Sequence, residues 1–436
     1  MKTRIPMKLL AALLALCLLF SFGAFTALAD DEAELPPAAE EVVNEPEAEP
    51  EAEPEAAPAA AGEDAQLQAK SEDLAGALNS GLYFQDDNTF KILLMGDLEI
   101  GMLPYPSMLK YIRCVLDDVK PDLVILNGDI TNKSASAFGI TTWISIPWIA
   151  DLLCGYPFTL TFGENDAMLP ISKNTYLSAY RRYGNCKAFD DERAGTMGVA
   201  NHNLFIFNTS EDAAAETKDL STVAFNLWLI DSNEAGLDRT QTSWYAIKEL
   251  DVIYPLAGYV IPSAVFTHLP FSKDSVMYNW MKQGGGVQAA YSNHFHTSYT
   301  ETPIADGAYN TTFVQCPGMT FAGIGNPAVR GATLITLTKT DDGVAPEYLL
   351  DPETHLPTTV VDPLHPGSAP VVTIANELKP AYDYIGGTDF YKAGANWFFG
   401  KTASFCGLFV SLFMSKYEAT FNVTQFFGNA FKWMLG

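Results

Sequence analysis

Along this chain the apolar positions fall into short runs of two kinds, and their alternation predicts the fold class. Phe90–Met95 in "NTFKILLMGDLEIG", the centre of "DLVILNGD" (122–129) and "PFTLTFGEND" (157–166) are brief apolar or β-prone stretches, each running into acidic residues. Runs this short, bounded by Gly and Asp, suit strands. Between them, Ser107–Val119 and "WISIPWIADLLC" (143–154) read as helices. Strand, helix, strand, helix, strand is the signature of an α/β sheet, whose site is built by loops at the carboxyl ends of the strands.

The pattern continues through "NLFIFNTS" (203–210) and "VAFNLWLIDSN" (223–233), two strands joined by the polar excursion Glu211–Ser221. "TQTSWYAIKEL" (240–250) reads as helix, "IPSAVFTHLPF" (261–271) as strand into loop, and "AAYSNHFHTSYT" (289–300) as a short strand ending on two histidines. "NTTFVQCPGM" (310–319) and "GATLITLTK" (331–339) supply further strands. From Asp341 the chain reads as Pro-rich loop, followed by an aromatic segment, 396–436, expected to form a helical extension. Its longest uncharged run, between Lys401 and Lys416, is short of the ~20 residues of a membrane span. A helix packed on the sheet domain or one facing a partner or a membrane surface are the two readings of it.

The amino terminus changes the picture of where such a domain would work. Lys2, Arg4 and Lys8 precede an unbroken apolar run ending in Ala27-Leu28-Ala29, the layout of a secretory signal cleaved after Ala29. An uncleaved anchor is the alternative. Residues 30–85 are an acidic Pro/Glu/Ala-rich stalk and lead-in, with "EPEAEPEAEPEAAPAAAGED" too polar and self-repelling to fold. The expected order is therefore signal 1–29, stalk 30–85, sheet domain 86–340 and extension 341–436, with a secreted or cell-surface location.

Of the net charge of −26, the signal contributes +3 and residues 30–64 contribute −14, leaving −15 on the rest. An acidic body speaks against nucleic acid as a partner, because binding it needs a basic footprint. Phosphate-bearing small molecules or surface phosphoesters stay open as partners, since a bound metal inverts the local field. Beyond the signal five cysteines remain, Cys114, Cys154, Cys186, Cys316 and Cys406. With no Cys-x-x-Cys spacing they read as buried small hydrophobes rather than a zinc ribbon or disulfide framework.

Candidate chemistry sits at the strand ends in chain order: Asp97 and Glu99, Asp129, Glu164 to Asp166, His268, then His294 and His296. Mixed carboxylates and imidazoles suit manganese, iron or zinc. With these motifs, "GDLE" (96–99), "GDITN" (128–132), "GEND" (163–166), "THLP" (267–270) and "NHFH" (293–296), the chain resembles the calcineurin-like metallophosphoesterases, in the branch related to purple acid phosphatases. "KPDLVILNGDIT", "RTQTSWY" and "FTHLPF" also look like that family's text, and the likeness covers about residues 88–340. It implies a four-layer α/β sandwich of two mixed sheets flanked by helices. It also implies two metal ions held by Asp97, Glu99, Asp129, Glu164, His268, His294 and His296, with Asp129 bridging.

The departures from the family pattern are specific. Glu99 stands where that family has His, Glu164 where it has Asn, and Asn293 where it has Gly. Asn165 stands where the resemblance implies the His that protonates the leaving group, with Asp166 as its support. Both Glu residues still offer a donor atom, but four anionic ligands replace two. That favours oxygen-seeking ions, so calcium, magnesium or ferric iron join manganese and zinc as candidates. An Asn amide donates a hydrogen bond but not a proton, and general acid help is worth about 10²–10⁴-fold. Two functions follow from these residues. One is an exported metal-dependent phosphoesterase with an altered site. The other is a surface binding or scaffold protein that keeps the fold with weakened or lost turnover.

Overall fold

The structure, a computed structural model, describes residues 74–385 apart from 101–104, 132–139, 167–171, 192–195, 322–325, 345–347, 351–356 and 360–369. The signal segment, the acidic repeat and the aromatic stretch 396–436 with its expected helices lie outside the described residues.

Two mixed sheets carry the domain. Strands β1 (Leu82–Tyr83), β2 (Thr89–Met95), β3 (Leu123–Asn127) and β4 (Phe158–Thr161) are followed by β5 (His202–Phe207), β6 (Val223–Ile230), β7 (Ser263–Thr267) and β8 (Val287–Ser292). Then come β9 (Thr300–Asp306), β10 (Tyr309–Gln315), β11 (Gly331–Val344), a small hairpin of β12 (Tyr348–Leu350) and β13 (Pro357–Thr359), and β14 (Pro370–Pro380). One sheet has the order β14-β11-β2-β3-β4 and the other β1-β5-β6-β7-β8-β10-β9. Within them β2, β3 and β4 run parallel, as do β6, β7 and β8, so five of these strands deliver their carboxyl ends to loops that carry chemistry.

The inner strands are covered on both faces, so successive residues are apolar on alternate sides. Phe90, Ile92 and Leu94 of β2 meet Phe225, Leu227 and Leu229 of β6 and Phe266 of β7 between the sheets. The intervening Leu93 and Met95 pack outward against α1 (Pro106–Val119) and α2 (Ile140–Leu152). On the other side Trp228, Ile230 and Val265 pack outward against α4 (Arg239–Ala246) and α5 (Val276–Gly284), with α3 (Lys173–Tyr180) on the first face. Helices, sheet, sheet, helices is the four-layer sandwich expected. In α1, Pro106 opens the helix, and Met108, Ile112, Val115 and Val119 repeat on its buried side. Tyr111 donates to Lys379 O at 2.6 Å and accepts from Ala332 N at 2.7 Å, tying α1 to the β11–β14 edge.

Several elements differ from the sequence expectation. The stretch after Asp341, read as Pro-rich loop, contains β14, which pairs antiparallel with β11 over eleven positions. Its residues alternate, Val372 and Ile374 toward the packed face and Thr373, Ala375 and Glu377 exposed, as an edge strand with one solvated face does. Ordered structure also begins ahead of residue 86, where Leu82–Tyr83 joins the second sheet beside β5. Among the described cysteines only Cys316 is buried; Cys154 is exposed, and Cys114 and Cys186 are half-buried. Cys114 lies within α1, Cys154 just beyond α2 and Cys186 in the segment between α3 and β5, so these three stay outside the core.

"RTQTSWY" proves to be a helix start. Asp238 accepts from Gln241 N while Gln241 Oε1 accepts from Asp238 N, both at 3.0 Å, a reciprocal cap. The helix then widens into a π-helix, Ile247–Ile253, which buries Glu249 with its Oε2 unpartnered among described groups. Burial pushes the Glu249 carboxyl up to about 8. An unfolded Glu loses its proton near 4.5, so between these values the folded chain holds the extra proton. Stability from this group is fully present below 4.5, falls as pH rises, and is lost above about 8. Urea denaturation at about pH 5 and about pH 8.5 is expected to show a loss on the order of a few kcal/mol. Glu249→Gln should flatten that difference; an unchanged difference in the variant would refute the assignment.

Candidate metal centre

The strand ends place the acidic residues by strained backbone. Asp97, Glu99 and Asp129 adopt left-handed φ of 49°, 43° and 47°, and His294 one of 69°. Such conformations cost roughly 1–3 kcal/mol each in non-Gly residues and persist only where surroundings impose them. Here the loops after β2 and β3 are zipped together: Asp97 N donates to Gly128 O, Glu99 N to Asp129 O and Ile100 N to Ile130 O. The side chains of Asp97, Glu99 and Asp129 are thereby held inside, at 0, 6 and 1 % exposure.

These residues form two adjoining donor groups, and Asp129 belongs to the first. In the first, Asp129, Glu164, His268 and His294 present ligand atoms that all lie within 4.8 Å of one another. That span is close to twice the ~2.0–2.3 Å of a metal–ligand bond. His268 Nε2 is 3.2 Å from Asp129 Oδ2 and 3.4 Å from Glu164 Oε2, and His294 Nδ1 is 2.9 Å from Glu164 Oε1. In the second, His296 Nε2 is 3.1 Å from Asp97 Oδ1 and 3.7 Å from Glu99 Oε1. Asp97 Oδ1 is also 3.6 Å from His268 Nε2, so the groups adjoin.

Whether the residues suit a metal is answered by their unsatisfied atoms. Asp97 Oδ1, Glu164 Oε2 and His268 Nε2 are buried without a hydrogen-bond partner, although each lies within 3.6 Å of an opposite group. Close approach without hydrogen-bond alignment is the arrangement of atoms that converge on a common cation, since a buried orphan polar atom is otherwise costly. The donor set of carboxylate oxygens and imidazole nitrogens fits manganese, iron or zinc. Electrostatics agree. Burial disfavours the charged form of His268, yet Asp97, Asp129 and Glu164 outweigh it and push its pKa well above the usual value. Burial likewise opposes ionisation of Glu164, but His268 and His294 beside it hold its carboxyl well below the usual range. The cluster attracts positive charge.

Outer contacts fix the ligands. His268 Nδ1 lies 3.0 Å from Asn127 O, which directs Nε2 inward. Asp97 Oδ2 accepts from His294 N at 3.1 Å, leaving Oδ1 for the centre. Asn127 Nδ2 donates to Asn293 Oδ1 at 2.8 Å, and Asn293 Nδ2 donates to Pro317 O at 3.0 Å. Asn293 packs over Gly96, where a Cβ would come within 2.3 Å of its Cγ. Asn127 and Thr131 escaped the sequence reading. The signal available was a polar residue closing the otherwise apolar run "DLVILN".

The third-motif residues are brought to the same place. Asn165 N donates to Asp129 Oδ1 at 2.8 Å and Asn165 Nδ2 to Asp129 Oδ2 at 2.6 Å, so this residue orients that carboxylate. Asp166 accepts from Gly163 N at 2.9 Å, Thr131 N at 3.0 Å and Thr131 Oγ1 at 3.2 Å, closing the turn that carries Glu164. Burial and the neighbouring Asp129 push Asp166 up to about 7. The turn needs Gly163: a Cβ there would lie 2.2 Å from Asp129 Oδ1 and 2.7 Å from Asp129 N. Gly163→Ala is expected to weaken metal affinity at least tenfold and to destabilise the chain by about 1–3 kcal/mol. Calorimetric titration with manganese and chemical denaturation would check both; wild-type values would disprove the packing account.

Fold and site together define an α/β sandwich with a carboxylate and imidazole centre at the strand ends of both sheets. No family model and no curated protein matches the chain. Among solved structures it is similar to a dimetal phosphatase from Danio rerio, at 11% identity over 57% of this chain and 92% of that one, TM-score 0.41. It is also similar to PhoD, at 12% identity over 69% and 71% of the two chains, TM-score 0.36. A third is GAP50, the anchor in the inner membrane complex of Plasmodium, at 13% identity over 57% and 81%, TM-score 0.33.

Proposed function

We propose that this chain is an exported metal-dependent phosphoesterase that hydrolyses a phosphomonoester or phosphodiester with a site altered at the leaving-group position. The observation that carries the reading is the pair of donor groups adjoining where Asp97 approaches His268, with buried atoms of Asp97, Glu164 and His268 left for a cation. Export rests on the signal-like segment before Ala29 and the acidic stalk behind it.

Ions held by Asp97, Glu99, Asp129 and His296 and by Asp129, Glu164, His268 and His294 would supply Lewis-acid polarisation of a phosphoryl oxygen and a lowered water pKa. The protein's own share is orientation and charge. Its four carboxylates match the charge of two divalent ions, so attraction for a phosphate dianion is weaker than at a centre with two anionic ligands. Asn165 holds Asp129 in place and donates no proton to a departing alkoxide. Esters whose leaving groups depart as stable anions are therefore the ones this site can turn over.

The test is a panel of activated and unactivated phosphoesters offered to the purified chain loaded with manganese, iron, zinc or calcium. The reading expects hydrolysis of activated esters that falls steeply with leaving-group basicity. Bound metal with no hydrolysis of any ester would leave the binding or scaffold function in its place.

A further inference from the structure

Between two of the candidate ligands the chain exposes a large aromatic side chain. Phe295 is 51% exposed, whereas the side chains of His294 and His296 on either side are 33% and 11% exposed and face Glu164 and Asp97. The backbone produces this split. His294 has φ 69°, and Phe295 N donates to Asn293 O at 2.8 Å, so residues 293–295 form a three-residue turn. It sends both imidazoles inward and turns the phenyl ring out at the rim. The ring packs edge-on against His294, centroids 5.1 Å apart at 64°, which leaves a face of the ring open to solvent.

A second observation bears on the leaving group under the proposed function. Asn165, at the position where the resemblance puts the proton donor, commits its amide to Asp129. A site of this kind favours leaving groups stable as anions, and phenolates are such a class. Aromatic pairs in offset or edge-to-face contact are worth about 0.5–1.5 kcal/mol beyond burial.

We infer that Phe295 is a specificity-determining residue whose exposed ring packs against the aromatic ring of an aryl phosphoester held at the centre. This rests on the phosphoesterase reading for its chemistry, but binding alone can test it. The chemical class is a phenolic phosphoester, with the phosphoryl group toward the His294 and His296 side chains and the ring toward the rim.

The experiment is calorimetric titration of the manganese-loaded full chain with phenylphosphonate and methylphosphonate, which share a headgroup and cannot be hydrolysed. Wild type is expected to bind phenylphosphonate about 2- to 10-fold more tightly. That ratio should fall to near one in Phe295→Ala and be kept in Phe295→Tyr. Equal affinities in wild type, or a ratio that survives in Phe295→Ala, would overturn the inference. Phenyl phosphate turnover is then measured in parallel. An aryl preference in binding without turnover retains the role of Phe295 and defeats the phosphoesterase reading, while turnover without an aryl preference does the reverse.

Discussion

Asp129→Ala is expected to reduce the metal content of the purified chain from near two ions to less than one, with loss of any phosphoesterase activity by at least ~10³-fold. The size of the effect follows from position. Asp129 lies in the four-residue donor group, is the carboxylate that the proposed function makes the bridge, is 1 % exposed, and is held by Asn165 through both the backbone and side-chain nitrogens. Because residue 129 is left-handed at φ 47°, Ala adds backbone strain, and Asp129→Asn separates the causes. Asn tolerates that conformation and keeps an acceptor, yet removes the charge. Both variants should fold, since removing the carboxylate relieves its repulsion with the buried Asp166 in the absence of metal. Elemental analysis after reloading with manganese, iron, zinc and calcium reads the outcome. Two ions retained in both variants would exclude Asp129 as the bridge.

Asn165→His should raise kcat/KM on alkyl phosphates by about 10²-fold, the lower end of the usual range for a general acid. An imidazole would restore the proton that the amide cannot give. The gain stays at the lower end because Asp166, which the family resemblance casts as the support of that His, already accepts from Gly163 and Thr131. Loss of the Asn165 Nδ2 bond to Asp129 works against it as well. On aryl phosphates the change should be small, since their leaving groups need no proton. Steady-state rates on methyl and phenyl phosphate with wild type and variant would separate the two effects. An equal change on both esters would show that residue 165 acts only through Asp129.

These results bear on which parts of the molecule its sequence discloses. Asp97, Asp129 and Glu164 were legible because each follows a buried strand, where a carboxylate has no structural reason to sit. The histidines were legible from their order after β7 and β8. Asn127, which directs His268 and holds Asn293, was not, because its partners are 141 and 166 residues away in the chain. Phe295 is visible in the sequence as an aromatic between histidines, but its exposure depends on the turn at His294.

By itself the sequence determined the alternation of strand and helix and the chemical kinds of side chain at the strand ends. Periodicity and residue type are properties of neighbours along the chain, so they can be read locally. Only the tertiary structure decided that β14 closes one sheet against β11, that a short strand at residues 82–83 joins the other, and that Glu249 is buried in a π-helix. It also decided that Asn165 faces Asp129 and that the ligand candidates gather in two adjoining groups. Those outcomes depend on pairing between distant segments, and the free energy that selects among pairings comes from burial and hydrogen bonding summed over the assembled sandwich.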